Sequence, residues 1–123
     1  MNKISFDFDD TLSRKEIQNY AKELSERGYE IWICTTRYTP EETGNQQDIL
    51  EVAQALNIPR ERMIFTEWRD KYPYLEGFIL HLDDDFEELD MLNKNTKVIG
   101  ISTWGTNNWK KKCEKVLKSI GGK

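Results

Sequence analysis

The stretch Ile4-Ser5-Phe6-Asp7-Phe8-Asp9-Asp10-Thr11-Leu12 opens as an apolar strand and runs into three carboxylates within four positions. Carboxylates this close repel one another, and burying one without a partner is costly. A strand ending this way inside a sheet needs a cation. The same pattern returns downstream, where Gly77-Phe78-Ile79-Leu80-His81-Leu82 runs into Asp83-Asp84-Asp85. Between the two, Tyr29-Glu30-Ile31-Trp32-Ile33-Cys34 runs into Thr35-Thr36-Arg37.

Outward from these stretches the chain alternates strand and helix. Strands are predicted over 3–8, 29–34, 63–66, 77–82 and 97–102. Helices are predicted over 15–27, 46–56, 86–93 and 108–119. In the first helix Ile17, Tyr20, Ala21 and Leu24 recur at the three-to-four spacing of one apolar face. Gly28 then stands where a helix end favours positive φ. Residues 38–45, polar and containing Pro40 and Gly44, read as a loop, and Pro59 closes the second helix. Strands that are largely apolar and separated by helices imply a parallel sheet covered on both faces. The expectation is one domain over 1–123: a three-layer doubly wound (Rossmann-like) α/β sandwich with a five-stranded parallel sheet and no cap domain.

Composition narrows the function classes. At 123 residues, 37% hydrophobic and 33% charged, the chain has no apolar run long enough for a membrane span. Met1-Asn2-Lys3 leads into the first apolar stretch without a signal-peptide pattern. Cys34 and Cys113 lie far apart with no metal-type spacing, so both read as small buried hydrophobes in a reducing cytoplasm. Residues 1–93 carry 10 Lys or Arg against 21 Asp or Glu, and residues 94–123 carry 8 Lys against Glu114 alone, within a net charge of −4. Lys110, Lys111, Lys112, Lys115 and Lys118 fit the wet face of a surface helix, with nucleic-acid binding as the alternative.

In a doubly wound sheet the three polar strand ends share one edge, where sites form. Acid converging there from two distant segments suits Mg²⁺, which takes one or two carboxylates plus substrate phosphate. Asp7 and Asp9, two apart on extended backbone, project to one side. One can act as nucleophile while the other handles the proton. A hydroxyl at the end of strand two and a nearby cation would hold phosphoryl oxygens.

These residues resemble the motifs of the haloacid dehalogenase (HAD) superfamily. Asp7, Asp9 and Thr11 match its first motif, Asp-x-Asp-x-Thr-Leu, in register. Thr35 matches the hydroxyl ending the second motif, and Thr35-Thr36-Arg37 also resembles the Thr-x-Arg variant of phage-type polynucleotide kinase phosphatase domains. Phe78-Ile79-Leu80-His81-Leu82-Asp83-Asp84 resembles the fourth motif. The third motif is a basic residue, for which Lys71 stands 12 residues before Asp83 with Arg69 as rival.

The resemblance implies a Mg²⁺-dependent phosphomonoester hydrolase with an aspartyl-phosphate intermediate. It makes Asp7 the nucleophile and Asp9 the general acid and base. Mg²⁺ would sit between Asp7, the backbone carbonyl of Asp9, and an acid of the 83–84 pair, Asp84 binding and Asp83 supporting. Thr35 and Lys71 would bind the phosphoryl group, with Thr11, Thr36 and Arg37 as further substrate contacts. Only Leu12, Ser13 and Arg14 separate Thr11 from the first helix, so a cap has no place to insert. Capless members act on large substrates or borrow a lid from a neighbouring subunit. The substrate is a small phosphomonoester such as a nucleotide, or a phosphorylated nucleic-acid end; no membrane is involved, and the oligomeric state is open.

Other residues have simpler readings. Trp68, Trp104 and Trp109 are expected in or half in the core, with base stacking as the alternative. His81 is expected buried near the site, Asp10 in a turn, and Asp85, Glu87, Glu88 and Asp90 at a helix start. Glu88 also stays in view as support for the metal site. A catalytically weak HAD-fold regulatory or binding module is the competing function. A phospho-receiver domain is disfavoured, because Met63-Ile64-Phe65-Thr66 lacks an acceptor Asp.

Overall fold

A computed structural model describes residues 2–44, 46–105 and 107–121. Five strands, β1 (Lys3–Phe6), β2 (Glu30–Thr35), β3 (Met63–Phe65), β4 (Leu80–Asp83) and β5 (Ile99–Ser102), form one parallel sheet in the order β3-β2-β1-β4-β5. The helices are α1 (Lys15–Glu26), α2 (Pro40–Thr43), α3 (Gln47–Ala55), α4 (Phe86–Asn95) and α5 (Trp109–Ser119). The chain winds from β1 out to β3, then returns to the far side of β1 for β4 and β5. The switch point falls between β1 and β4, as the doubly wound expectation requires.

Strand parity divides the core into two unlike halves. Register sets Ile4 beside Leu80, Ser5 beside His81 and Phe6 beside Leu82. One face therefore carries Ile4, Phe6, Ile33, Leu80 and Leu82, packed on Ile17, Tyr20 and Leu24 of α1, Ile49 of α3, and Trp109 and Leu117 of α5. The other face carries a smaller apolar cluster of Cys34, Leu75, Phe78, Leu92 and Val98. Near its centre the buried side chains are polar: Ser5, Asp7, His81 and Asp83. The chain crosses this face on its way from β3 to β4, through the short turn Tyr72–Tyr74. That crossing brings Lys71 over the switch point.

Several element boundaries differ from the sequence reading. The first strand ends at Phe6 rather than running to position 8. Asp7 still donates its N–H to the Leu82 carbonyl at 2.9 Å, but Leu12 N–H then bonds back to the Asp7 carbonyl at 3.0 Å. The Phe8–Leu12 turn that results holds Asp10 at φ 59°, a left-handed conformation that Asp tolerates better than most residues. Asp9 consequently leaves the strand, and the extended-backbone argument for its side chain does not apply. The 38–45 loop contains the one-turn α2, with Pro40 in its first turn; Asn45 lies outside the described residues. The fourth strand begins at Leu80 and includes Asp83, and the fifth begins at Ile99.

The other simple readings hold in part. Gly28 has φ +99° just past α1, and Cys34 and Cys113 are buried free thiols. The α5 lysines are exposed while Trp109, Cys113 and Leu117 are buried, so the basic run lies on the solvent side of the helix, as both of its readings require. Trp109 is core as expected, but Trp68 and Trp104 are 74% and 61% exposed. Each follows the carboxyl end of an edge strand, beyond the reach of the helices that cover the sheet. No helix among the described residues is long and apolar enough to cross a membrane.

Phe6 is fully buried on the central strand. Replacing it with Ala should cost about 3–5 kcal/mol by chemical denaturation, from lost burial plus the cavity left behind. A loss below about 1 kcal/mol would show that the α1 side of the sheet does not hold the fold.

Candidate metal centre

Because Phe6 pairs with Leu82, the next residues, Asp7 and Asp83, emerge side by side on the polar face of adjacent strands. Opposed like charges on neighbouring strands are destabilising. Asp84 follows, and one oxygen from each of Asp7, Asp83 and Asp84 can be chosen within 4.8 Å of the others. Two of these acids are nearly inaccessible, Asp7 at 7% exposure and Asp83 at 0%.

Lys71 lies between them. Its Nζ donates to Asp7 Oδ1 at 2.8 Å and to Asp83 Oδ2 at 2.6 Å, and its backbone N–H donates to Glu88 Oε1 at 3.1 Å. Burial works against this ammonium, but the adjoining charges of Asp83 and Asp7 outweigh it and hold Lys71 protonated. The rival Arg69 is exposed and has Glu67 as its ion partner at 3.8 Å. Of the two candidate cations, Lys71 is the one in contact with the acids.

His81 extends the chain of contacts. Its Nε2 is 2.7 Å from Asp83 Oδ2 and its Nδ1 is 3.0 Å from Ser5 Oγ. Burial pushes the imidazole below its usual range, so it is neutral near pH 7. Asp83 can only accept, which assigns the ring proton to Nε2 and makes Nδ1 an acceptor from the Ser5 hydroxyl. Burial tends to raise Asp83, but the His81 and Lys71 contacts overcome this and keep it ionised well below the ordinary carboxylate range.

The remaining imbalance falls on Asp7. Three carboxylates face one ammonium and a neutral imidazole, so full ionisation leaves the cluster two charges too negative. Burial first, then the Asp83 charge and a hydrogen bond with Asp84, prevail over Lys71 and push Asp7 up to about 8. A cluster of hard oxygen donors lacking two positive charges has the donor type and charge deficit of a divalent-cation site.

The other sequence candidates divide into two groups. Thr35 is buried, and its Oγ1 accepts from Arg37 N–H at 3.3 Å. Thr36 is half-buried and gives its carbonyl to Trp68 N–H at 2.8 Å. Thr11 is buried, its Oγ1 3.1 Å from Thr103 Oγ1 and 3.5 Å from Asp84 Oδ1. The Asp9 carboxylate is outside the three-acid group. Arg37 Nε and Nη2 grip it at 3.1 and 2.7 Å, and the same guanidinium bonds both oxygens of Asp48 at 2.8 Å and Gln46 Oε1 at 2.9 Å. Asp85 caps α4 by accepting from Glu87 and Glu88 N–H.

Sequence reasoning missed Asp48, Gln46, Ser5 and Thr103 as partners in this region. Ser5 alone carried a signal, a hydroxyl in the interior of an otherwise apolar strand. The fold and site together define a Rossmann-like parallel α/β protein with a buried three-carboxylate centre at its switch point. No protein-family model, curated protein or solved structure matches the chain.

Asp7 retains its proton to about pH 8 when folded and to about pH 4 when unfolded. The folded state therefore binds the extra proton across that window, and stability from this group is lost as pH rises through it. With chelator present, wild type should lose on the order of 1 kcal/mol per pH unit relative to Asp7→Asn between about pH 5 and 8. Thermal melts of the two proteins that stay parallel from pH 5 to 9 would overturn the charge assignment.

Proposed function

We propose that this chain is a capless phosphomonoester hydrolase of the HAD type. The observation that carries the reading is the Asp7–Lys71–Asp83 arrangement beside Asp84: two buried acids bridged by one lysine, with a third at the rim. Its residues are those at which the sequence resembles the HAD motifs. Asp7, Asp84 and Asp83, with the backbone carbonyl of Asp9, are the groups that would hold Mg²⁺. Bound there, the ion would offset carboxylate charge and reduce repulsion between Asp7 and an incoming phosphate.

The protein's own groups account for the two half-reactions. An Asp7 oxygen attacks phosphorus, the bond to the leaving oxygen breaks, and Asp9 donates a proton to that oxygen. Asp9, now a carboxylate, takes a proton from water as the water attacks the aspartyl-phosphate, which returns Asp7 and releases phosphate. Lys71 and the Thr35 hydroxyl hold phosphoryl oxygens, positioning and neutralising them as phosphoryl transfer demands. Lys71 also fixes Asp7 against Asp83, so the nucleophile is aimed before substrate arrives.

Arg37 bears on when Asp9 can act. Its guanidinium holds Asp9 in a bidentate pair, which must open for Asp9 to reach a leaving group. A phosphate is a natural competitor for guanidinium, and a phosphoryl oxygen taking Arg37 would free the Asp9 carboxylate only in the presence of substrate, after which Asp9 must take up a proton from solvent before it can give one to the leaving oxygen. The same pair favours the competing reading: if it never opens, the chain is a catalytically weak binding module that keeps the fold and metal site.

Turnover separates the two. Wild type should hydrolyse p-nitrophenyl phosphate with Mg²⁺ and stop with chelator. Asp7→Asn should abolish turnover at least about a thousandfold while the fold persists by circular dichroism, and Asp9→Asn should slow it by about a hundredfold or more. Undiminished turnover in Asp7→Asn would remove the mechanism, and absence of turnover in wild type would favour the binding module.

A further inference from the structure

We propose that the cleft beside Trp104 is a subsite for a planar, hydrogen-bonding ring on the leaving group, as in a nucleoside phosphate. This rests on the phosphatase reading above and names its substrate class. Trp104 follows β5 with its indole largely in solvent, and it forms one wall of a cavity of about 380 Å³. Asp10, Arg14, Thr103, Gly105 and Asn107 line the rest. That volume is at the small end of small-molecule sites and suits one nucleoside rather than a folded partner.

The cleft is built and adjoins the acids. Thr103 N–H donates to the Asp83 carbonyl at 3.0 Å, and Arg14 Nη1 donates to the Thr103 carbonyl at 3.1 Å. Thr103 Oγ1 meets Thr11 Oγ1, which in turn reaches Asp84. Trp104 N–H is held by Ser102 Oγ at 3.3 Å. Thr103, which lines the cleft, is thus linked to Asp84 of the three-acid centre through the Thr11 hydroxyl alone.

The lining chemistry selects a ring. An exposed indole face offers stacking to any base, the Asp10 carboxylate accepts ring N–H groups, and the Asn107 amide both donates and accepts. A sugar phosphate has no π-face for the indole, and an alkyl ester leaves Asp10 and Asn107 unused. Trp68, the other exposed tryptophan, follows the opposite edge strand, four strand spacings or about 19 Å across the sheet. One nucleoside cannot use both, which makes Trp68 an internal control.

The test compares adenosine 5′-monophosphate, adenosine 3′-monophosphate and ribose 5-phosphate with Mg²⁺, by KM where turnover occurs and otherwise by calorimetric Kd. Wild type should prefer an adenosine phosphate over ribose 5-phosphate by about fivefold or more, the low end of what stacking one base supplies. Trp104→Ala should erase the preference, Trp104→Phe should retain most of it, and Trp68→Ala should leave it intact. A 3′-phosphorylated tetranucleotide distinguishes the sources of the ring. Binding tighter than the mononucleotide with the same Trp104 dependence marks a polynucleotide end, and weaker binding marks a free nucleotide. A wild type without preference, or a preference that survives Trp104→Ala, overturns the subsite. Turnover without Trp104-dependent preference leaves the phosphatase standing, and selective binding without turnover of any ester leaves only the subsite.

Discussion

Asp7 and Asp83 leave neighbouring strands side by side, out of reach of bulk water, and Lys71 is the group that lets them do so. The contact is expensive to assemble. Three ionisable side chains give up solvent, and the bridging lysine neutralises only one carboxylate of the pair. Removing one member of a buried pair is strongly destabilising because the other charge is left without a partner. Much of the polar face is arranged around this contact: His81 anchored on Ser5, Glu88 receiving the Lys71 N–H, and the 66–79 crossing that carries Lys71 over the sheet.

The fold makes that arrangement possible through an unequal division of the core. Apolar packing is concentrated on the side of α1, α3 and α5, where Phe6, Ile33, Leu80 and Leu82 are fully buried. The opposite side needs less apolar cover, so it can hold a strip of polar side chains. Reversal of strand order between β1 and β4 puts the strip at the edge where the chain diverges to opposite faces. An acidic centre there rests on the sheet, with Asp7, Lys71 and Asp83 buried and Asp84 half-buried at its rim.

Much of this was legible in the sequence because strand parity is a rigid rule. Asp7, Asp83 and Asp84 follow apolar runs directly, so the sheet edge they share was recoverable from the alternation of strands and helices. Asp9 was less so. Its spacing from Asp7 matched an extended strand, but the turn that begins after Asp7 swings it outward to Arg37. Lys71 and Arg69 were indistinguishable because both belong to an irregular crossing, where no periodicity tells which side chain points inward. Trp68 and Trp104 were misread for a related reason. Hydrophobicity favours burial, yet whether a loop residue finds cover depends on helices elsewhere in the chain. The partners of Arg37, Gln46 and Asp48, sit beyond a loop whose short helix the sequence did not announce.

Fully ionised, the three-carboxylate cluster lacks two positive charges, which a divalent cation could supply. Titrating Mg²⁺ into the chelator-treated protein by calorimetry at pH 7, in two buffers of different ionisation enthalpy, measures both stoichiometry and proton release. One saturable site and release of nearly one proton are expected, because Asp7 must ionise to bind the metal. Saturable binding without proton release, or no saturable binding, would contradict this.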